Sequence, residues 1–253
     1  MLISKKFKKQ SMLTAAAVGL SLSMGAVQAA VWDVTQDTSV YEFLGNLGAG
    51  TGDSNGITVW NHESNHGTKG LLQFDSAWTT DAVLAGDFQA TLNLYQVCEP
   101  GGFVGACAGD AGAEVVNTDV LLQGSNWNEA GAISWGNIAE SSTPYATITQ
   151  TSNSNGWVSI DITDLVGAWL LGDGDYGLAL SQENYDVIRA ASGSVAVAKF
   201  CDSESANGVC ATGDFTPYLE ISAVPLPGAA WLLISGLIGF AGFSRGSVPV
   251  LAS

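Results

Sequence analysis

The chain has 253 residues, of which 24 are acidic and eight basic, and its formal net charge at neutral pH is −16. Lys5, Lys6, Lys8 and Lys9 hold half of the positive charge, which leaves Lys69, Arg189, Lys199 and Arg245 against 24 carboxylates, a formal −20 beyond the first thirty residues. A surface that acidic repels phosphate backbones, excludes nucleic-acid binding and suits a well-solvated protein outside the cytoplasm.

Residues 1–29 read as a removable signal peptide. The four lysines form its basic region, and Met12 to Met24 is an apolar stretch too short for a membrane span. Val27 and Ala29 place small side chains at the −3 and −1 positions that signal peptidase reads, so cleavage is expected after Ala29.

From residue 30 to residue 223 the pattern is β throughout, with no linker or repeat dividing it, and the length suffices for one domain with a sizeable core. Turn formers such as Asp53-Ser-Asn-Gly56 punctuate short strands, among them Ile57–Val59 and Leu71–Asp75. Between these two lies His62-Glu63-Ser-Asn-His66, the spacing of a zinc hydrolase whose helix would present two imidazoles on one face with the glutamate as base. Asn, Ser and Gly around it break helices, and the chain has no third histidine, so a metal-dependent hydrolase is the weakest of three readings.

Phe88–Val97 alternates strictly, with Phe88, Ala90, Leu92 and Leu94 on one face and Gln89, Thr91 and Asn93 on the other. Cys98 and Cys107 follow, matched further on by Cys201 and Cys210 at the same interval. Four cysteines allow three pairings; disulfides within each loop-rich interval close the shortest loops and are favoured over a zinc site, which needs closer pairs. Trp157–Ile162 alternates again and leads into a helix. Asp161 or Thr163 would cap it, Leu165, Val166, Trp169 and Leu170 would form its apolar face, and Gly172 would end it. Asp173 and Asp175 in the next turn offer oxygens to a structural Ca²⁺, although a full calcium loop is missing and no cofactor is required. Tyr176–Leu180 and Ser194–Phe200 are continuously apolar, as strands covered on both faces would be, and Pro217–Ile221 returns to alternation. The expected fold is an all-β, jelly-roll-like sandwich with one short helix.

Eight tryptophans raise sugar stacking, since an exposed indole packs on pyranose C–H groups. Trp127, Trp135, Trp157 and Trp169 sit inside strand or helix patterns and are expected in the core. Trp60 and Trp78 lie beside loops, and with Tyr185 they are the carbohydrate-contacting candidates.

Beyond Glu220 no charge occurs until Arg245. Val224-Pro225-Leu226-Pro227 precedes an apolar run to Phe243, so residues 224–245 could cross a bilayer with Arg245 on the cytoplasmic side, followed by a short tail at 246–253. This segment resembles the PEP-CTERM sorting signal, although a single Arg245 stands where that family carries a basic cluster. The resemblance implies an exosortase as processing partner, a membrane contact through the C-terminal helix, and delivery to the surface or extracellular matrix of a Gram-negative bacterium.

The middle is similar to the DNRLRE domain, a β-sandwich family of secreted and surface proteins. The matching landmarks are Asp37–Tyr41 with Asn46–Gly48, Ile57–Val59, Leu71–Asp75, Ala90–Tyr95, Trp127–Glu129 with Ile133–Trp135, Trp157–Val166 with Trp169, and Tyr176–Leu180. Members resemble carbohydrate-binding modules, which implies association with extracellular polysaccharide. No nucleophile elbow, phosphate loop or dinucleotide fingerprint is present. A non-catalytic, exported protein that binds or organises polysaccharide is therefore expected, with a self-associating protein of a biofilm matrix as the alternative.

Overall fold

A computed structural model describes residues 29–42, 45–46, 56–60, 67–75, 77, 79, 84, 87–98, 104–105, 116–124, 127–128, 133, 135–150, 155–173, 177–182, 195–204 and 208–224. Among them run the strands β1 (Ala29–Tyr41), β2 (Gly45–Asn46), β3 (Ile57–Val59), β4 (Thr68–Phe74), β5 (Phe88–Gln96), β6 (Val104–Gly105), β7 (Val116–Gln123), β8 (Ala146–Gln150) and β9 (Gly156–Asp161). Helix α1 (Thr163–Leu170) follows, then β10 (Gly177–Ser181), β11 (Val195–Ala196), β12 (Ala198–Phe200) and β13 (Tyr218–Ala223).

Strand β1 belongs to two layers. Its residues Ala29–Asp33 pair with β13, and Val34–Tyr41 pair with β4, with a register slip between Val34 and Gln36. An irregularity of this kind bends a strand, which lets one strand serve both sheets. In the first layer β5 has β9 on one side, while β13 and β12 meet it at Phe88–Asn93 and Gln96, and β3 extends the sheet beyond β12. The second layer runs β1–β4–β10–β7–β8. Among the described residues all pairings are antiparallel apart from that of β6 with β11.

The layers pack through one apolar cluster. Leu92, Leu94, Leu219 and Ile221 from the first meet Leu72, Phe74, Val120, Leu178 and Leu180 from the second. Period two thus has its expected consequence in β5: Ala90, Leu92 and Leu94 are fully buried, and Gln89 is exposed on the other face. The architecture is an all-β sandwich with one helix, as the sequence pattern implies.

Helix α1 plugs the core with Leu165, Val166, Ala168 and Trp169. The Trp169 ring lies 6.0 Å from that of Phe74, and its Nε1–H donates to the Gly177 carbonyl at 3.3 Å. Leu170, expected on this face, is instead exposed on the last turn, beside an exposed Leu171. Neither expected cap residue occupies the N-cap position, which falls on Ile162. Asp161 acts from one residue upstream, its Oδ1 accepting the Thr163 N–H at 2.9 Å and the Thr163 hydroxyl at 2.6 Å. At the other end the N–H groups of Gly172 and Asp173 donate to the carbonyls of Trp169 and Ala168, a Schellman closure that uses the positive φ of Gly172.

The second layer is covered on both faces. Val40, Leu71, Leu121 and Ala179 pack outward against Trp127, Ile133, Trp135 and Ile138 from the segment joining β7 to β8. Lys69 fastens this cover by an ion pair with Glu140 and by lying 4.6 Å from the centre of the Trp135 ring. Double coverage explains why β10 is buried along its whole length and why its sequence shows no alternation.

Cys201 and Cys210 are joined by a disulfide as expected, and Cys98 is also disulfide-bonded, while Cys107 lies outside the described residues. The leader and residues 225–253, including Pro225, Leu226, Pro227 and Arg245, lie outside them as well. Among the described residues no helix is long and apolar enough to cross a membrane.

Candidate functional site

The outer face of the first layer carries no comparable cover among the described residues, and its side chains follow from the register. Opposed residues of antiparallel strands point to the same side. One row across the sheet is therefore Ser159 (β9), Asn93 (β5), Tyr218 (β13) and Asp33 (β1), and the next is Asp161, Thr91, Glu220 and Val31. Above the first row Trp157 stands opposite Tyr95.

Four aromatic rings gather at this end. Tyr95 and Phe215 stack at 3.8 Å, and Trp157 meets Tyr218 at 5.3 Å, Tyr95 at 5.4 Å and Phe215 at 6.3 Å, all at steep angles of 63–83°. Phe215 and Tyr95 rest in turn on Val97 and the Cys201–Cys210 disulfide. The indole is pinned by three rings, and yet 44% of Trp157 is exposed to solvent. Beneath it Asn93, an outward-facing amide, is buried and accepts the Ser159 hydroxyl at 2.6 Å. A large ring held in place and left open, with hydroxyl, amide and carboxylate groups in the adjoining rows, is the arrangement that stacks on a sugar and hydrogen-bonds its hydroxyls. Its rigidity also limits the entropy lost when a ligand is ordered on it.

Trp157 was expected in the core, and the structure corrects that placement. Its parity carried the signal. Trp157 alternates in phase with Ser159 and Asp161, and the inward set is Val158, Ile160 and Ile162. Trp127 and Trp169 are buried as expected, and Trp135 is half-buried in the cover of the other layer. Of the three candidates named from sequence, Trp60 is half-buried and bridged to Thr68, whereas Trp78 and Tyr185 lie outside the described residues.

His62, Glu63 and His66 also lie outside them; the flanking Trp60 and Thr68 are cross-strand neighbours, with backbone bonds of 3.0 and 2.8 Å in both directions. Asp173 is exposed at the helix terminus, where its backbone N–H serves as the cap, and Asp175 is outside the described residues.

One group of carboxylates does converge. Asp37 on β1 meets Asp202 and Glu204, which follow β12 inside the Cys201–Cys210 loop, with one oxygen of each within 4.8 Å of the others. Asp37 is only 2% exposed, and its Oδ2 accepts the Ser203 N–H at 3.0 Å. Burial pushes its carboxyl from an ordinary 3.8 up to about 8; the hydrogen bonds from Ser203 oppose the rise, while the charges of Glu204 and Asp202 add to it. Hard cations favour such oxygens, but Ca²⁺ takes six to eight ligands, and three carboxylates do not complete that shell. No local pattern could have revealed this group, because Asp37 and Asp202 are far apart in sequence and meet only through the fold.

A family model described as carbohydrate-binding module family 96 matches residues 32–196, more than half of the chain and a span that includes Tyr95 and Trp157 but not Phe215 or Tyr218. A search of curated proteins found no match.

Proposed function

Because the chain belongs to carbohydrate-binding module family 96, we propose that it binds polysaccharide on the outer face of its open layer, with Trp157 as the stacking ring, and performs no catalysis of its own. The observation that carries this reading is the exposure of an indole that three other rings hold in place. Tyr218 and Tyr95 extend the apolar surface, and Asp33, Glu220, Ser159 and Thr91 supply hydrogen-bonding groups around it. Affinity electrophoresis through gels containing soluble polysaccharides tests it. Trp157→Ala is expected to weaken retention about 30-fold or more, the scale of a central aromatic contact, in a protein that stays folded at a somewhat lowered melting temperature. Equal retention of the variant, or loss on Trp60→Ala or Trp78→Ala instead, would move the site to the loops that the sequence singled out.

The same reading extends to export and sorting of a DNRLRE-like protein. Cleavage after Ala29 releases the domain outside the inner membrane, and exosortase recognition of Val224–Pro227 and the apolar run before Arg245 delivers it to the cell surface. The basic leader, the small residues before Ala30 and the proline-flanked apolar segment support this. Intact mass of the protein recovered from its native cell surface is expected to begin at Ala30 and to lack the apolar run; a mass with both segments retained contradicts the proposal.

A further inference from the structure

We infer that the sandwich holds a separate, interior site between its layers for a compact molecule with adjacent hydroxyl groups, a small polyol or a single sugar unit. Strand parity points to it. Leu72 of β4, Leu180 of β10, Val120 of β7 and Ile148 of β8 all face the core between the layers. Thr68, Gln182, Thr118 and Gln150 share their parity on the same four stretches of chain, so they face inward as well. Leu180 lies opposite Gly70 on one side and Val120 on the other. Two residues on, the same register sets Gln182 between Thr68 and Thr118, about 4.8 Å from each strand. Gln150 stands one pleat further along, opposite Val116.

These four side chains are at most 3% exposed. Yet both hydroxyls, and the nitrogen and oxygen of both amides, have no hydrogen-bond partner in the protein. A buried polar group left bare destabilises the fold, and an apolar residue of similar shape would not. One such group is an ordinary exception; four on one face of neighbouring strands form a lining. The atoms themselves select the occupant. A cation would satisfy the oxygens and leave the amide N–H groups bare. A primary amide offers a donor and an acceptor side by side. Adjacent hydroxyls return the complement, one donating to Oε1 while its neighbour accepts from Nε2. Separate waters can do the same, and they fill the site when it is otherwise empty. One polyol replaces several of them and loses its translational freedom only once. Entry falls at β8, which ends on Gln150 and, among the described residues, pairs with β7 alone. A strand held on one side opens at lower cost than those inside the sheet.

NMR of the purified chain tests this through the side-chain amide signals of Gln150 and Gln182, assigned by their loss in Gln150→Leu and Gln182→Leu. Glycerol, erythritol and xylose are titrated in, with ethanol as a control that has a single hydroxyl. At least one of the three is expected to shift both signals saturably, with ethanol weaker by about tenfold or more. Trp157→Ala is expected to leave these shifts unchanged, which separates this site from the one on the open face. Thr118→Val keeps the shape of the side chain and serves if the glutamine variants fail to fold. It is expected to weaken the polyol about fivefold, the scale of one hydrogen bond, and to melt no higher than the wild type. No saturable shift with any of the three, or an equal response to ethanol, overturns the site. A higher melting temperature in Thr118→Val also overturns it, because that hydroxyl would then be dry. Shifts that vanish with Trp157→Ala overturn it as well, and leave the open face as the place where the polyol binds.

Discussion

Asp37 shows how much a single side chain can be asked to tolerate. Among the described residues most carboxylates face water, but this one is buried beside two others. Its carboxyl holds a proton up to about pH 8 in the folded protein, against an ordinary 3.8 when the chain is open. A raised acid favours folding fully below the unfolded value and loses that contribution as pH climbs from about 4 through about 8. Melting temperature is therefore expected to fall between pH 5 and pH 8.5 in the wild type and to fall less in Asp37→Asn, which keeps an uncharged side chain. Parallel pH profiles for the two proteins would show that Asp37 is not under this strain. Trp157 tolerates the opposite condition, an apolar ring left in water. An exposed aromatic of that size usually marks a surface that something else covers.

At the scale of elements, the Cys201–Cys210 loop does two jobs. It brings Asp202 and Glu204 against β1, and with Val97 it forms the floor on which Tyr95 and Phe215 stack. Closing a loop this short contributes about 2–3 kcal/mol by the chain-entropy estimate. Replacing both cysteines by serine is expected to cost about that much in denaturant titration and also to weaken glycan retention, because the floor under the rings loosens. Full retention with lowered stability would mean that the rings need no such support.

Much of this layout was legible in the sequence. Alternation located β5, β9 and β13, and unbroken apolarity located β10, because burial on one face or two writes itself directly into the period of the strand. The helix was legible for a similar reason, apart from its N-cap and from Leu170 on its exposed last turn. Sequence could not say which face of which layer stays open. That depends on where the segment between β7 and β8 lies down, a tertiary fact. Without it a tryptophan in a strand reads as core, even though the parity of Trp157 with Ser159 and Asp161 pointed outward. Nor did any local signal announce that Phe215, in a loop after a disulfide, would complete the aromatic group.

Over the whole molecule, the two layers divide the work. The second is covered on both sides, its cover clamped by Lys69, and supplies stability. The first contributes one face to the shared core, and its other face, which carries no comparable cover among the described residues, holds the proposed glycan site. The net charge of the chain belongs to this scale too. A net charge this far from zero opposes non-specific association.

Hydroxyl-radical footprinting of the purified protein, free and saturated with a retained polysaccharide, tests this division most directly. The account predicts protection at Trp157 and Tyr218, with Trp135 on the opposite cover unchanged. Protection confined to Trp135 or Trp60, with Trp157 as reactive as in the free protein, would contradict it.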